Sequence, residues 1–184
     1  MTRIKSKKDL NAWLDYERKK YKIGNSLLSF ISAILFLSEK KVIWRIQRRL
    51  RITEYHLNCG HKLRYKINLA MYHRLSFKVG VKIPPNTCGK GLWIVHLGSI
   101  LINSEARIGE NASFHINSSI VAGSNNKNAV IGDNVIFYVG ATVIKGVTIA
   151  DKTRIGAGAV VNKDVVDCGM CVAGVPAKIV SESK

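Results

Sequence analysis

Between residues 102 and 166 the sequence repeats a pattern every six residues. Each six opens on an aliphatic or aromatic side chain, and a small or β-branched one follows four places later, as in Ile102 with Ala106 and Phe137 with Ala141. A helix has a period near 3.6 residues and a simple strand a period of about 2, so neither produces a strict period of six. Short strands joined by tight turns do produce it, and hexapeptide repeats are typical of a parallel β-helix.

Three such sixes predict one triangular turn of about 18 residues. The opening residues are expected to stack inside the prism, and the small ones to fit its corners. Glycines recur where corners need a positive φ or a close approach of two backbones. They are Gly109, Gly132, Gly140, Gly146, Gly156 and Gly158. An antiparallel β-sandwich would instead require hairpins and period-2 alternation, which this repeat lacks.

Charge divides the chain into two parts. Residues 1–82 contain 20 Lys and Arg against 5 Asp and Glu, whereas residues 83–184 contain 9 against 7, so almost all of the net charge of +17 is amino-terminal. We therefore predict a basic α-helical region over 1–82 and a β-helix domain over 83–184. The segment Pro84-Pro85-Asn86 marks the change.

Apolar residues in the first part recur at three- and four-residue spacing, which predicts helices. One helical pattern runs from Leu27 through Leu35 to Ile43 and Ile46, with Asn25 or Ser26 as its cap, and a second runs from about Leu63 to Val79.

The densest apolar run, residues 26–37, has 12 residues, whereas a membrane-spanning helix needs about 20. It begins late and has no small-x-small cleavage site, so it does not read as a signal peptide. We expect a cytoplasmic protein. The basic helices present three alternatives: a solvated face, a peripheral contact with anionic lipid at the inner face of the membrane, or attraction of an acidic substrate. Nucleic-acid binding is not expected, because the basic segment lacks a recognisable zinc finger or aromatic stacking motif.

Four cysteines, at positions 59, 88, 168 and 171, raise the question of a metal site or a disulfide. Cys168 and Cys171 form a single CxxC, with no second pair at zinc-ribbon spacing. We expect reduced thiols and no metal.

Three segments together resemble the serine acetyltransferase branch of the hexapeptide acyltransferases. They are the run GLWIVHLGSILI from Gly91 to Ile102, the repeats themselves, and the closing AGVPAK from Ala173 to Lys178. The resemblance covers about residues 83–180. The GLxIxH segment after a basic helical part is also similar to the polysaccharide O-acetyltransferases of capsule and lipopolysaccharide synthesis.

This resemblance implies a left-handed parallel β-helix that assembles as a homotrimer and transfers an acetyl group from acetyl-CoA to a hydroxyl. His96 matches the catalytic histidine of the family. An imidazole suits this role because its ordinary pKa, near 6.5, lets it take the proton of an attacking alcohol near neutral pH.

His96 also occupies an unusual place in the repeat. Counting back six from Ile102 reaches His96, so an imidazole stands where other sixes hold an aliphatic side chain. Either the first coil is out of phase by a residue and His96 turns outward into a groove, or His96 is a buried, hydrogen-bonded core histidine. His115 follows Phe114 and should point outward near His96 if the first coil slips. It either supports the first imidazole or is an ordinary surface histidine.

Two departures from the serine acetyltransferases concern the acceptor. Those enzymes carry an aspartate where this chain has Val95, and an acceptor-site histidine where it has Asn128. A zwitterionic amino acid needs a carboxylate partner for its ammonium group. We therefore expect a saccharide hydroxyl as acceptor, on a free or lipid-linked precursor of capsule, O-antigen or exopolysaccharide; the alternative is serine O-acetylation in cysteine biosynthesis.

The donor groove is predicted from the period and the resemblance. Val139 and Ala157 occupy the same place in successive coils, so their backbone amides, with Gly140 beside them, should line up for the pantetheine arm of CoA. Lys163 and Lys178 match cationic contacts to the CoA phosphates in resembling enzymes; as alternatives, both are solvated surface charges. The loop from Ala122 to Val130 is longer than the repeat allows and should wall a cleft between subunits.

Two other functions fit the sequence less well. A γ-class carbonic anhydrase shares the fold but needs three zinc-binding histidines, and residues 83–184 contain only His96 and His115. A scaffold would give His96 no purpose. A dimer of trimers, paired through the helices, is the alternative to a single homotrimer.

Overall fold

A computed structural model of the protein describes residues 2–23, 38–122, 127–144 and 146–183. These fall into two compact units: one of residues 3–78, the other of residues 79–184 with the first two residues. The predicted helical pattern from Leu27 to Leu35 lies outside the described residues.

The first unit contains three helices, α1 (Lys7–Lys20), α2 (Glu39–Asn58) and α3 (Lys62–Phe77). The α3 helix confirms the predicted stretch from about Leu63 to Val79. The Ser6 side chain caps α1 by accepting a hydrogen bond from the Asp9 amide at 3.1 Å. Within the described ranges, no helix combines the length and apolar content needed to cross a membrane.

A buried ion cluster joins α1 to α2. The Arg51 guanidinium donates to Glu17 at 2.7 Å and to Glu54 at 2.8 Å, and lies 4.9 Å from the centre of the Trp13 ring. All three charged side chains are buried. Because each buried charge has a partner, the cluster avoids the large penalty of an isolated buried ion.

The second unit is a parallel β-solenoid of about five turns, built from three sheets. Sheet A contains β1 (Val81–Lys82), β3 (Ile100–Ile102), β6 (Ser118–Ile120), β9 (Thr142–Val143) and β12 (Val160–Val161). Sheet B contains β4 (Arg107–Ile108), β7 (Val130–Ile131) and β10 (Thr148–Ile149). Sheet C contains β2 (Trp93–Ile94), β5 (Ser113–Phe114), β8 (Ile136–Phe137), β11 (Arg154–Ile155), β13 (Met170–Ala173) and β14 (Lys178–Glu182).

The solenoid begins earlier than the predicted boundary at residue 83. Strand β1 already pairs in parallel with β3, Val81 opposite Ile100. The division between the units therefore falls at residues 78 and 79.

Strand pairing confirms the predicted length of a turn and the inserted loop. Ile100 lies opposite Ser118 and Val130 opposite Thr148, and both pairs have the separation expected for one regular coil. Ser119 lies opposite Thr142, and these two residues are further apart in the sequence than one regular coil. The extra residues form a loop that projects from the corner between sheets A and B. Part of that loop, residues 123–126, lies outside the described ranges.

The core confirms the assignment of the two repeating positions. The opening residues of sheet C are all buried and form one column: Ile94, Phe114, Phe137, Ile155 and Val172. The Phe114 and Phe137 rings stack with their centres 4.5 Å apart. The small residues four places later, such as Ala141 and Ala159, are also buried.

Glycines occur at corners where successive coils approach each other closely or where the backbone is left-handed. At Gly132 an added Cβ would lie 2.7 Å from the backbone nitrogen of Asp151 in the next coil, closer than such contacts allow. Gly158 has a φ of +66°, the left-handed conformation that glycine adopts most easily.

Strand β14 differs from all the others because it runs antiparallel to β13. It closes sheet C at the end of the solenoid.

Candidate functional site

His96 is exposed at the corner that joins sheet C to sheet A. The preceding strand, β2, ends at Ile94, which is buried, and the Val95 amide then donates to the Phe114 carbonyl at 3.0 Å. Ile94, rather than His96, fills the core position opposite Phe114. The interpretation of His96 as a buried core histidine is therefore wrong, and the outward orientation is confirmed.

The phase slip is larger than the single residue expected. Ile94 pairs with Phe114 across a stretch of chain that is two positions longer than the regular coil between Ile100 and Ser118. The extra positions lie in the corner between Ile94 and Ile102. Gly98 permits that corner, since its φ is +154° and an added Cβ would lie 2.8 Å from Cγ2 of Ile116.

His115 lies beside His96, as predicted from the spacing. Its amide donates to the Phe137 carbonyl at 3.0 Å, which continues the ladder one residue beyond β5 and turns the half-buried side chain out of the core. The centres of the two imidazole rings are 6.3 Å apart, with the rings inclined at 56°. Two nitrogen bases therefore face the same small region of the surface.

Tyr138 is a third member of this group that the sequence reasoning missed. It follows Phe137 as His115 follows Phe114, and its ring centre lies 5.3 Å from that of His115. The signal was present in the sequence as an aromatic residue in the next coil after His115. The inserted loop hides it, because the loop makes the separation of the two residues longer than one regular coil.

Burial is the main cause that lowers the pKa of His115 from its ordinary value of 6.5, and the nearby His96 lowers that pKa further as a like charge. A lowered pKa favours the neutral imidazole near neutral pH. Neutral His115 offers one donor and one acceptor nitrogen without adding positive charge next to His96.

The same corner exposes a row of backbone amides. Val139 and Ala157 are exposed, and the Val139 carbonyl accepts from the Gly158 amide at 2.8 Å, which holds the two coils together. The N–H groups of Val139 and Ala157 donate no hydrogen bond within the part of the chain that the structure describes. Gly140 instead has its amide engaged by the Ile116 carbonyl at 3.0 Å, so its contribution is its left-handed φ of +72°.

Lys163 and Lys178 lie at the carboxyl-terminal end of the solenoid. Lys163 follows β12 closely and Lys178 opens β14. Both side chains are exposed, and neither forms an ion pair with any residue in the described ranges. Both are thus open to an anionic ligand.

Asn128 is not brought to the imidazoles within one chain. It is exposed in the loop before β7, at the corner between sheets A and B, whereas His96 and His115 lie at the corner between sheets C and A. Its grouping with His96 and Val95 requires a neighbouring subunit and stays a prediction.

Two cavities of the solenoid lie away from the imidazoles. One of about 380 Å³ is lined by Arg107 of sheet B and by Asp133, which follows β7, and one of about 280 Å³ is lined by Pro84 and Val121 near the corner between sheets A and B. Neither of these two is lined by His96 or His115. Among the described residues, no three His, Cys, Asp or Glu side chains cluster as a metal site would require.

Comparison with known proteins agrees with the repeat fold. Residues 128–163 match the family model for the bacterial transferase hexapeptide, described as six repeats. A search of curated protein sequences finds no match to the chain.

Solved structures of serine acetyltransferases are similar to the chain. The Neisseria gonorrhoeae enzyme in complex with serine is 25% identical, with a TM-score of 0.68 over 96% of this chain and 71% of that one. The enzyme from Brucella abortus strain S19 is 22% identical, with a TM-score of 0.73 over 97% and 71%. A serine acetyltransferase in complex with CoA is 22% identical, with a TM-score of 0.68 over 94% and 68%. The predicted left-handed parallel β-helix, preceded by helices, is confirmed, and an acyltransferase is supported.

Proposed function

We propose that this chain is an acetyl-CoA-dependent O-acetyltransferase in which His96 is the general base. The observation that carries the proposal is the exposure of His96 beside His115, at the same corner of the prism as the unoccupied amides of Val139 and Ala157. One corner thus offers both a base for the acceptor and donors for the thioester arm. The family match and the CoA-bound neighbour support the reaction class.

In the reaction, an imidazole nitrogen of His96 takes the proton of the acceptor hydroxyl as the hydroxyl oxygen attacks the thioester carbonyl. The C–S bond of the thioester then breaks, and the acetyl group stays on the acceptor oxygen as an ester. The departing CoA sulfur receives the proton from His96. Such a base accelerates transfer by about 10²–10⁴-fold. His115, held neutral by its lowered pKa, orients His96 or the acceptor hydroxyl through a hydrogen bond.

The donor lies along the amide row in this proposal. The N–H groups of Val139 and Ala157 hydrogen-bond the carbonyls of the extended pantetheine arm, and Gly140 shapes the corner between them. Lys163 and Lys178 hold the phosphates, since a mobile ammonium group serves as a point charge for them. The proposed chemistry requires no metal.

Serine is the acceptor that the structural comparisons favour. Each solved structure described above is a serine acetyltransferase, although the identities are low. Serine O-acetylation is therefore the first activity to test.

A saccharide hydroxyl is favoured by the residues themselves. Val95 replaces the aspartate that the serine acetyltransferases carry before the catalytic histidine, and no Asp or Glu occurs between Glu54 and Glu105. A neutral sugar needs no partner for an ammonium group, whereas serine does. A capsule, O-antigen or exopolysaccharide precursor, free or lipid-linked, is the second candidate acceptor.

The proposed assembly is a homotrimer. In a trimer the loop from Ala122 to Val130, which leaves one corner of the prism, can face the His96 corner of the next subunit. That arrangement would bring Asn128 to the acceptor and convert an open surface into a cleft. A dimer of trimers would require a further contact.

The acceptor is tested by the rate of thiol release from acetyl-CoA with the purified chain. Turnover with L-serine and none with neutral saccharides would assign a serine acetyltransferase, and the reverse pattern would assign a saccharide O-acetyltransferase. If calorimetry shows no binding of CoA, the whole proposal fails, because the amide row would then have no donor to hold.

A further inference from the structure

Helix α3 presents an exposed apolar face. Leu63 is 73% exposed, Ile67 51%, Met71 44% and Phe77 65%. Residues at four-residue spacing lie on one side of a helix, and Phe77 falls about 40° from Leu63 around the axis at about 100° per residue. We call these four residues the α3 stripe.

The rest of α3 is docked against its own unit. Tyr72 and Ser76 are buried, and Asn68 accepts a hydrogen bond from Arg49 of α2 at 2.8 Å. The helix thus packs through one side and leaves the apolar stripe exposed on the other. An exposed row of four large apolar side chains on one helix marks an interaction surface more than a solvated one.

All the charged side chains that border the stripe are cationic. Lys62, Arg64, Lys66, Arg74 and Lys78 lie on or beside α3, and no Asp or Glu occurs anywhere from residue 55 to residue 104. None of these five cations forms an ion pair with any residue that the structure describes. Their long apolar stems can lie along the stripe while their charged ends extend past it.

The acids of the helical unit are few and mostly engaged. Residues 3–78 contain 19 Lys and Arg against 5 Asp and Glu. Glu17 and Glu54 are buried against Arg51, and Asp15 pairs with Arg18 and Lys19. In a symmetric contact the same patch meets itself, so a second copy would place cations against cations with little acid to offset them.

From this charge pattern we propose that the α3 stripe docks on the surface of an anionic lipid bilayer, with the helix lying in the headgroup region. Such a surface supplies both an apolar layer for the four side chains and negative charge for the five cations. A nucleic acid supplies only the charge and would leave the stripe uncovered. This inference is independent of the acceptor proposed above.

The test is co-sedimentation of the full chain with vesicles of equal parts phosphatidylcholine and phosphatidylglycerol, and with vesicles of phosphatidylcholine alone. We expect binding to the anionic vesicles. The double variant Ile67→Gln/Met71→Gln should bind about tenfold more weakly, because it removes apolar burial without changing charge. Arg64→Gln/Lys66→Gln should also bind the anionic vesicles more weakly. The binding that remains should depend less on salt concentration, because fewer charges contribute to it.

Matched controls use exposed residues outside the stripe. Val166→Gln/Val180→Gln removes two exposed apolar side chains of the solenoid, and Lys7→Gln/Lys8→Gln removes two exposed cations of α1. Both should bind like the unmodified chain. Circular dichroism checks that each variant is folded, and Leu63→Ser replaces the apolar double variant if that one is not.

Two outcomes would overturn the proposal. Unchanged vesicle binding by Ile67→Gln/Met71→Gln, the stripe variant, would show that the chain is attracted to the vesicles by charge only. A smaller particle in light scattering for the stripe variant, with unchanged lipid binding, would show that a second copy of the chain covers the stripe.

Discussion

Ile94 lies opposite Phe114 in sheet C although the chain between them is two positions longer than one regular coil. The buried column of sheet C keeps its aliphatic and aromatic members because Ile94 takes the inward position. The two additional positions are accommodated at the following corner, where His96 is exposed. One small shift in register thus separates an imidazole from the core and places it next to His115.

Replacing His96 by alanine should abolish most acetyl transfer without unfolding the chain. His96 is exposed, so the core loses nothing, while the loss of a general base lowers the rate by about 10²–10⁴-fold. Thiol release measures the rate, and calorimetry should show CoA binding unchanged. His73→Gln, a substitution in the helical unit, is the control. Wild-type turnover by His96→Ala would refute the role of His96.

The pKa of His115 should depend on His96. Substituting His96→Gln removes a like charge, so the pKa of His115 should rise toward 6.5 but stay below it because the burial remains. An NMR titration of the imidazole protons measures this pKa. The pKa of His56, which is lowered by its own burial and by His61, should not move in the same variant. An unchanged His115 pKa would contradict the electrostatic coupling.

The same lowered pKa affects stability in acid. As the pH falls below 6.5, the unfolded chain binds a proton at His115 before the folded chain does, so the free energy of unfolding decreases. The decrease ends once the pH is below the folded pKa. Urea unfolding at several pH values should show a smaller decrease for His115→Gln. If the free energy of unfolding decreased equally in His115→Gln, His115 would not be a cause of the lower stability in acid.

Lys163 and Lys178 should matter only for a donor that carries phosphates. Lys163→Gln and Lys178→Gln should each raise the KM for acetyl-CoA several-fold, because each removes one charged contact to a phosphate. With acetyl-pantetheine, which has no phosphates, each variant should equal the unmodified chain. Lys152→Gln serves as the control in an exposed position of the solenoid. An equal effect with both donors would show that the lysines do not contact phosphate.

Removing the Phe137 ring should strongly destabilise the solenoid. Phe137 is fully buried and stacks on Phe114 at 4.5 Å, so Phe137→Ala should lower the free energy of unfolding by about 3–5 kcal/mol. Phe137→Leu should cost less because it fills part of the cavity. Val139→Ala, at an exposed position, should change stability by less than about 0.5 kcal/mol. If Phe137→Ala also lowered the free energy of unfolding by less than about 0.5 kcal/mol, the buried column of sheet C would not determine stability.

Much of the solenoid follows from its period. The six-residue repeat decides which side chains point inward, because stacked coils bury the same positions each time. It fails at the first coil, where the corner after Ile94 contains two additional positions and the count from Ile102 reaches His96 instead. Tyr138 was missed for a similar reason, since the inserted loop hides its equivalence to His115.

The helical unit was harder to predict. Helix α1 was not expected, since Glu17 occupies one of its buried positions and breaks the apolar pattern that identifies a helix. Only the structure shows that Arg51 neutralises this carboxylate from another helix. The position of Asn128 relative to His96 could not follow from one chain, since it depends on a neighbouring subunit.

Strand β14 bears on how the solenoid avoids growing into a fibre. A parallel solenoid ends in a row of unpaired backbone groups that could template another molecule in coil register. Here β14 turns back against β13, and Ala177 and Gly174 hydrogen-bond Val160, the first residue of β12. A second solenoid arriving at this end would meet a reversed strand in sheet C and an occupied edge in sheet A. The terminal hairpin therefore removes the parallel template on which another solenoid could stack in register.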